Sequence, residues 1–410
     1  PDTRAALSRI AAAFYKAPSR RLKVTGVTGT NGKTTVTFLA KHICESVFLR
    51  CGLIGTVRYE VGERVLPAVH TTPEALDVQE LLAGMRDAGC KAAVMEVSSH
   101  ALAQGRVEEV EFDAVVFTNL TQDHLDYHGN MESYFAAKAR LFSAPSPRSR
   151  KRPAAVINID DSYGSKLAEK TRAIMPVVTY GMNARADFRA SNPRQTFQGT
   201  TFQLEAKGRS FLVRTPLIGR FNVYNALAAL GAASVLGIDV RAGVAALADA
   251  PQVPGRLEQL AGKRAFQVFV DYAHTPDALL NVMKTLRELN PERLLVVFGC
   301  GGNRDRGKRL LMGQAVDAHA DYSIITTDNP RDEDPDAIIN DIRRGFSGTA
   351  FEVIPDRREA IFKSIAMARP RDIVLIAGKG HENYQEIAGH RIPFDDAETA
   401  ARALEQRRNA

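Results

Sequence analysis

The chain is poor in the features that would assign it to a special class. It has four cysteines in 410 residues, Cys44, Cys51, Cys90 and Cys300, with no C-x-x-C pair and no metal-ligand spacing. A disulfide framework and a zinc site are therefore not expected, and the thiols read as reduced and mostly buried. No segment approaches 18 consecutive apolar residues, which excludes a membrane-spanning helix. No block of Lys or Arg stands out, because the formal charge of +7 is interspersed with acids. That balance suits small anionic ligands and argues against a nucleic-acid footprint. Internal repeats and low-complexity tracts are lacking too. Arg4, Arg9, Arg20 and Arg21 mark the N-terminal end without the apolar core of a signal peptide.

What is there is an ordinary globular composition, 45% hydrophobic and 25% charged, long enough for two or three domains with separate cores. The most informative stretch is Gly29-Thr30-Asn31-Gly32-Lys33-Thr34-Thr35. It follows a short apolar strand at 22–27 and leads into a helical run from Val36. Strand, glycine-rich turn, Lys-Thr and helix build a triphosphate cradle. Backbone N–H groups at the helix start face the anion, Lys33 reaches the β/γ-phosphates and the Thr34 hydroxyl ligates Mg²⁺. The spacing is a tight G-x-x-G-K-T variant, since Val27 stands where the general pattern has its first glycine.

Apolar runs at 23–27, 92–97, 114–118 and 154–158 alternate with helical stretches. The fold class is therefore α/β, a P-loop ATPase domain with a mostly parallel, doubly wound sheet and its ligands at the carboxyl ends of the strands. Residues 189–216 alternate polar and apolar around Gly199 and Gly208, which predicts antiparallel hairpins, and an Ala/Leu-rich helix is expected at 221–236. Two prolines and a glycine in 250–255 mark a domain boundary. Beyond it, strands at 265–270, 294–298, 322–326 and 373–377 predict a C-terminal Rossmann-like α/β domain. The division expected is an N-terminal helix or linker remnant at 1–21, an ATP-binding domain at 22–250 and an amino-acid-binding domain at 251–410.

Polar clusters sit at several strand ends. Glu96, before Val97-Ser98-Ser99-His100, suits either a second contact to Mg²⁺ or a structural cap. Asp123, His124, Asp126 and His128 fall within six residues, a set fit for metal ligation or proton handling, or simply a solvated loop. Lys138, read alone, is a solvated helix lysine. In the second half, Asp271 and His274 precede Pro276, which opens a helix. A glycine-rich cationic turn then carries Arg304, and Asp328-Asn329-Pro330-Arg331 and Gly378-Lys379-Gly380-His381-Glu382 each end a strand. An Asp, an Arg and a Glu converging there would bind an amino-acid zwitterion, with Arg gripping a carboxylate bidentately. Each of these taken singly is an ordinary turn.

Together, T-G-T-N-G-K-T-T, M-E-V-S-S-H, F-T-N-L-x-x-D-H-L-D-Y-H, V-D-Y-A-H-T-P-D-A-L, F-G-C-G-G-x-R-D and A-G-K-G-H-E make the chain, over about 5–386, resemble the ATP-dependent Mur ligases of peptidoglycan synthesis. Within that family it looks like the branch that adds meso-diaminopimelate. The resemblance implies a cytoplasmic monomer with ATP and two Mg²⁺ ions. Its partners would be UDP-N-acetylmuramoyl-L-Ala-D-Glu and meso-diaminopimelate, with no nucleic acid and no membrane. ATP would phosphorylate the terminal carboxylate of the dipeptide, and the amine would attack the acyl phosphate. By motif, Lys33, Glu96, His124, Lys138 and His274 would be catalytic. Thr34, Glu96, His124 and Lys138 would be the metal set, with Lys138 carbamylated to N6-carboxylysine. Gly29 to Thr35, Asn222, Asn225, Arg256 and Asp271 would hold ATP. His70, Thr71, Thr72, Ser98, Gln104 and Arg106 would meet the UDP-muramoyl dipeptide, although His70 stands where Asn is usual. Arg304, Asp328, Asn329, Pro330, Arg331, Gly378 and Glu382 would form the diaminopimelate site, with Arg331 on the distal carboxylate that lysine lacks. Family members carry a further N-terminal domain that grips the uridine nucleotide, and it is expected to be absent here. Two other readings stay open. One is another Mur or folylpolyglutamate-type ligase, which D-N-P-R and G-K-G-H-E disfavour. The other is a ligase-derived nucleotide-binding protein without activity, which the intact metal set argues against.

Overall fold

The computed structural model describes residues 3–47, 49–147, 149–260 and 265–409. Residues 1 and 2 of the expected N-terminal segment, and 261–264 and 410 of the expected C-terminal domain, lie outside that range. The chain divides into two compact units, Pro1–Pro251 and Gln252–Ala410.

The first unit is built on an 11-stranded sheet. Its strands are β1 (Lys23–Thr28), β2 (Cys51–Ile54), β3 (Arg58–Val61), β4 (Arg64–Pro67), β5 (Ala92–Glu96), β6 (Ala114–Phe117), β7 (Ala154–Asn158), β8 (Val177–Gly181), β9 (Phe188–Thr196), β10 (Gly199–Ala206) and β11 (Arg209–Thr215). Their order is β11-β10-β9-β8-β7-β6-β1-β5-β2-β3-β4. From β2 across to β8 the neighbours pair in parallel. Every residue of β5 and β6 is buried, as continuous apolar runs require when helices cover both faces. β9 to β11 form an antiparallel meander with one wet face, so their burial alternates. The meander joins the parallel core through the β8–β9 pair and extends the same sheet. The β3–β4 hairpin at the other edge is too short and polar to have been read from the sequence.

β1 and β6 are neighbours, but the chain leaves β1 toward the β5–β2 side and leaves β6 toward β7. That reversal opens a crevice at their carboxyl ends, the switch point where parallel sheets bind ligands. Two helices back it, Lys33–Ser46 and Arg220–Val235. The second has no charged residue after Arg220 and is buried almost all round, as a helix apolar on every face must be. A Cβ on Gly231 would come within 2.7 Å of Val156, so this helix lies directly on the sheet.

The second unit holds a 6-stranded sheet of β12 (Glu258–Gln259), β13 (Gln267–Asp271), β14 (Leu294–Phe298), β15 (Tyr322–Ile325), β16 (Phe351–Val353) and β17 (Ile373–Ala377), in the order β12-β13-β17-β14-β15-β16. All pairs but β12–β13 are parallel. The strand expected at 265–270 starts instead at Gln267. The Ala265 carbonyl is taken by the Arg371 N–H at 2.6 Å, which turns the chain before the ladder begins. A separate hairpin, β18 (Tyr384–Ile387) and β19 (His390–Pro393), follows the last core strand. All four cysteines are buried and free, and no helix is long and apolar enough to cross a membrane among the described residues.

Candidate active site

The phosphate loop leaves β1 at Gly29 and enters its helix at Lys33. Gly29 and Gly32 adopt φ of 145° and 87°. A side chain there would strike Thr118 Oγ1 at 1.8 Å or Asn225 Oδ1 at 2.4 Å, so no other residue fits. The tight loop is held from outside by the end of β6. Thr118 Oγ1 donates to the Asn31 carbonyl at 2.6 Å, and the Asn31 N–H donates to Asn119 Oδ1 at 2.9 Å. Thr30 N–H adds a bond to the Asn119 carbonyl at 2.9 Å. Lys33 folds back over the loop and donates to the Gly29 and Thr30 carbonyls at 3.1 and 2.8 Å. Thr35 is buried in the helix's first turn. Asn222 and Asn225 are buried one helical turn apart on Arg220–Val235. Asn225 Nδ2 donates to Asn222 Oδ1 at 2.8 Å, and Asn222 Nδ2 to the Ile218 carbonyl at 2.8 Å.

Glu96 closes β5 with its side chain buried at the mouth of the loop. Its Oε2 accepts from Thr34 Oγ1 at 3.2 Å and Thr56 Oγ1 at 3.0 Å, and its Oε1 accepts from the Thr56 N–H at 2.8 Å. A hydroxyl beside a carboxylate at a phosphate loop is a hard-oxygen donor pair of the kind Mg²⁺ takes, so these residues fit one such ion. Thr56 Oγ1 lies 3.1 Å from Thr71 Oγ1. Thr72 Oγ1 donates to the Glu96 carbonyl at 2.9 Å and accepts from the Ser98 N–H at 3.0 Å. Ser98 caps the helix Ser99–Ala103. Arg106 binds Gln104 Oε1, the Thr72 carbonyl at 2.8 Å and Glu74 at 2.7 Å. Thr71, Thr72, Ser98, Gln104 and Arg106 thus form one hydrogen-bonded run beside Glu96. His70 is apart from them: its side chain is exposed and its backbone is held by the Tyr59 hydroxyl.

Lys138 is not the solvated lysine its helix position suggests. It is 1% exposed and donates to the Gly29 carbonyl at 2.8 Å. Its ammonium lies 4.5 Å from the ring centroid of Tyr134, one turn earlier on Met131–Ala139. Burial, and then the positive charge of Lys33, push its pKa well below the ordinary 10.5, so the amine is biased toward its neutral form. His124, in left-handed backbone at φ 53°, is lowered by burial and by the cations Lys33 and Lys138, against the pull of Asp123. The cluster at 123–128 does not converge as a metal centre: no group of three His, Cys, Asp or Glu suited to a metal occurs among the described residues. His124 and His128 instead turn their rings to His100, at 4.9 and 5.5 Å between centroids. His128 Nε2 contacts Ser99 Oγ at 3.0 Å.

In the second unit, Asp271 ends β13 and accepts from the Leu257 N–H at 2.6 Å and the Ala273 N–H at 2.7 Å. Burial raises its pKa and Arg256 opposes the rise. The Arg256 guanidinium stacks on Tyr272, 4.9 Å from the ring centroid. His274 Nδ1 lies 2.8 Å from the Tyr272 carbonyl. A carbonyl only accepts, so Nδ1 carries the hydrogen and the neutral ring offers Nε2 as an acceptor.

The turns after β15 and β17 meet through a lysine. Lys379 is fully buried and donates to Asn329 Oδ1 and Glu382 Oε2, both at 3.1 Å, with Asp328 Oδ1 at 3.9 Å. Asn329 Nδ2 donates to Glu382 Oε2 at 2.8 Å, and Gly378, at φ 116°, turns against Asp328. Pro330 carries the chain to Arg331, which donates from Nη1 to the Gly302 carbonyl at 2.7 Å and lies 3.7 Å from Glu386. Arg304 is exposed, with no hydrogen bond or ion pair among the described residues.

Thr56 and Lys379 are the residues the sequence reading passed over. Gly55-Thr56 after a short strand was a usable signal, since a hydroxyl at a parallel strand's end faces the ligand side. Lys379 lies within the Gly378–Glu382 turn, but its role had no such signal: Asn329, which it ties to Glu382, is 50 residues away in sequence.

The family model described as "Mur ligase middle domain" matches residues 27–233, and "Mur ligase, glutamate ligase domain" matches 255–380. A UDP-N-acetylmuramoyl-L-alanyl-D-glutamate–2,6-diaminopimelate ligase of Geobacillus kaustophilus is 48% identical, over 99% of this chain and 83% of that protein. The same-named protein of Syntrophomonas wolfei is 46% identical, over 98% of this chain and 82% of its own length. A solved structure of a ligase with that name has a TM-score of 0.73 at 40% identity, covering 100% of this chain and 84% of that one. A Mycobacterium tuberculosis folylpolyglutamate synthase structure has a TM-score of 0.75 at 20% identity, covering 98% and 95%. At that identity the likeness concerns the fold alone.

Proposed function

The chain belongs to the Mur ligase family, and we propose that it joins meso-diaminopimelate to UDP-N-acetylmuramoyl-L-Ala-D-Glu at the expense of ATP in peptidoglycan precursor synthesis. One observation carries this reading. The same chain holds a phosphate loop built against a buried glutamate and, in its second unit, the Asp328–Arg331 and Gly378–Glu382 turns drawn together by Lys379.

The γ-phosphoryl group passes from ATP to the terminal carboxylate oxygen of the dipeptide, releasing ADP. The amine nitrogen then attacks the acyl carbon, the C–O bond to phosphate breaks, and the amine loses its proton. The chain's own contribution is mainly position and charge. Loop amides and Lys33 hold the phosphates, and Asn222 and Asn225 take the adenine side. Arg256, Asp271 and His274 serve the phosphates and ribose. Thr71, Thr72, Ser98, Gln104 and Arg106 hold the dipeptide. Asp328 and Glu382 receive the ammonium of the incoming amino acid, while Arg304 and Arg331 receive its carboxylates.

Thr34 and Glu96 would hold one Mg²⁺, and Glu96, His124 and a modified Lys138 a second. The ions would supply charge neutralisation for the phosphoryl group. A buried neutral amine can add to carbon dioxide and lose a proton, which turns Lys138 into a carbamate with a ligand's negative charge. The depressed pKa of Lys138 supports that modification. A cytoplasmic monomer is the setting proposed.

Phosphate release from ATP in the presence of the UDP-muramoyl dipeptide tests the reading. Turnover is expected with meso-diaminopimelate and not with lysine, because a site with an unpaired guanidinium rejects the shorter ligand. Equal rates with both amines would overturn the specificity.

A further inference from the structure

The turn that carries Arg304 and the turn that carries Arg331 are stapled to each other by a residue of neither motif, Glu333. Glu333 Oε1 accepts from the Asn303 N–H at 2.5 Å and from Arg309 Nη2 at 2.9 Å, and Oε2 pairs with Arg306 at 3.0 Å. Arg309 is 1% exposed and donates from Nη1 to Asp341 at 3.1 Å. The anchor under the staple is thus a buried, doubly paired guanidinium. Arg309, helped by Arg306 and the Asn303 amide, holds the Glu333 carboxyl down to about 2.

The two turns touch at Gly302 and Asn303. Gly302 N–H donates to the Asn329 carbonyl at 2.9 Å, and a Cβ on Gly302 would lie 1.9 Å from the Pro330 carbonyl oxygen. Asn303 Nδ2 donates to Asp332 at 3.2 Å, and the Glu333 N–H closes the second turn on Pro330 at 3.0 Å. Asn303 and Arg331 both adopt left-handed backbone, φ 52° and 53°. That conformation is costly for Arg and persists only where surroundings impose it. Asn303 immediately precedes Arg304, so the bond from Glu333 sets where that guanidinium starts.

We propose that Glu333 is a specificity-determining positioning residue, fixing the separation of Arg304 and Arg331 so that the site accepts a diamino acid with a second carboxylate and rejects one without it. The inference rests on the reading of those arginines given under the proposed function. Two guanidinium groups discriminate only while their spacing holds within a fraction of an ångström. A carboxylate bound to one turn through its own backbone and to the other through Asn303 provides that constraint.

The test is calorimetric binding of meso-diaminopimelate and of lysine to the full chain, with kinetics of phosphate release alongside, for wild type and Glu333→Gln. Glutamine keeps the size and an acceptor but removes the charge that holds Arg306 and Arg309. Affinity for diaminopimelate is expected to fall, and its KM to rise, by about ten-fold. The KM for ATP and kcat should stay within about two-fold. Diaminopimelate should lose more than lysine does, so that the preference narrows. Glu333→Asp should recover part of it. Should Glu333→Gln fail to fold, Glu333→Asp, which keeps the charge but shortens its reach to the Asn303 N–H, is judged by the same criterion, with a smaller loss in the same direction expected. An unchanged preference in the variant, or equal loss for diaminopimelate, lysine and ATP, overturns the role of Glu333 alone. A wild type that does not prefer diaminopimelate overturns the proposed substrate and this inference with it.

Discussion

Lys138 in the first unit and Lys379 in the second are equally deep, at 1% and 0% exposure, and are held in opposite ways. Among the described residues, Lys138 has a carbonyl and the face of Tyr134 as close partners, with a second cation, Lys33, nearby. Lys379 is ion-paired to Glu382 and bonded to Asn329, with Asp328 at its far side. One environment disfavours the charged form of the amine. The other uses the charge to hold two turns together and to neutralise acids that would otherwise repel. Burial alone therefore says little about what a lysine does; the groups facing it decide.

The widest break in that comparison is functional. Lys138→Ala should cut ATP-dependent phosphate release at least about a hundred-fold, with partial rescue by acetate or formate, which can replace a carbamate's oxygens. Absence of rescue would count against the modification. Lys379→Met should act on stability instead. It leaves Glu382 and Asp328 without their cation, and urea unfolding should register a loss of about 3–5 kcal/mol. Lys138→Met, which removes a group the fold already disfavours in its charged form, should stay within about 1 kcal/mol of wild type.

The pH dependence sharpens the contrast. The folded-state pKa of Lys138 lies below the ordinary 10.5, so between the two values the unfolded chain binds a proton that the folded one does not. Folding is penalised in full below that window, and the penalty fades as pH rises toward 10.5. In carbon-dioxide-free buffer, any stability advantage of Lys138→Met over wild type should therefore shrink from about pH 7 to about pH 10. An advantage independent of pH would contradict the charge argument. A loss well below that of Lys379→Met is expected for Ser98→Ala, which removes the cap of a five-residue helix and should cost about 1 kcal/mol in the same unfolding assay.

Much of the fold was legible because it rests on local patterns. The fully buried strands appear in the sequence as unbroken apolar runs, and the meander of β9 to β11 as alternation. The short hairpins β3–β4 and β18–β19 carry neither pattern and were missed. Within the site, the phosphate loop announced itself through glycine, lysine and threonine at fixed spacing. Glu96 was visible at a strand's end but ambiguous, since capping and ligand binding use the same residue in the same place. Lys138 looked like a surface lysine on bare periodicity, and only resemblance to a family raised it.

By itself the sequence determined the elements, the class of sheet and the ATP loop, because each follows from residue types a few positions apart. Tertiary structure alone decided that Thr56 braces Glu96, that Lys138 is dry, that Lys379 joins two turns and that Glu333 staples two others. Those facts depend on desolvation and on partners tens of residues distant, which no local pattern encodes.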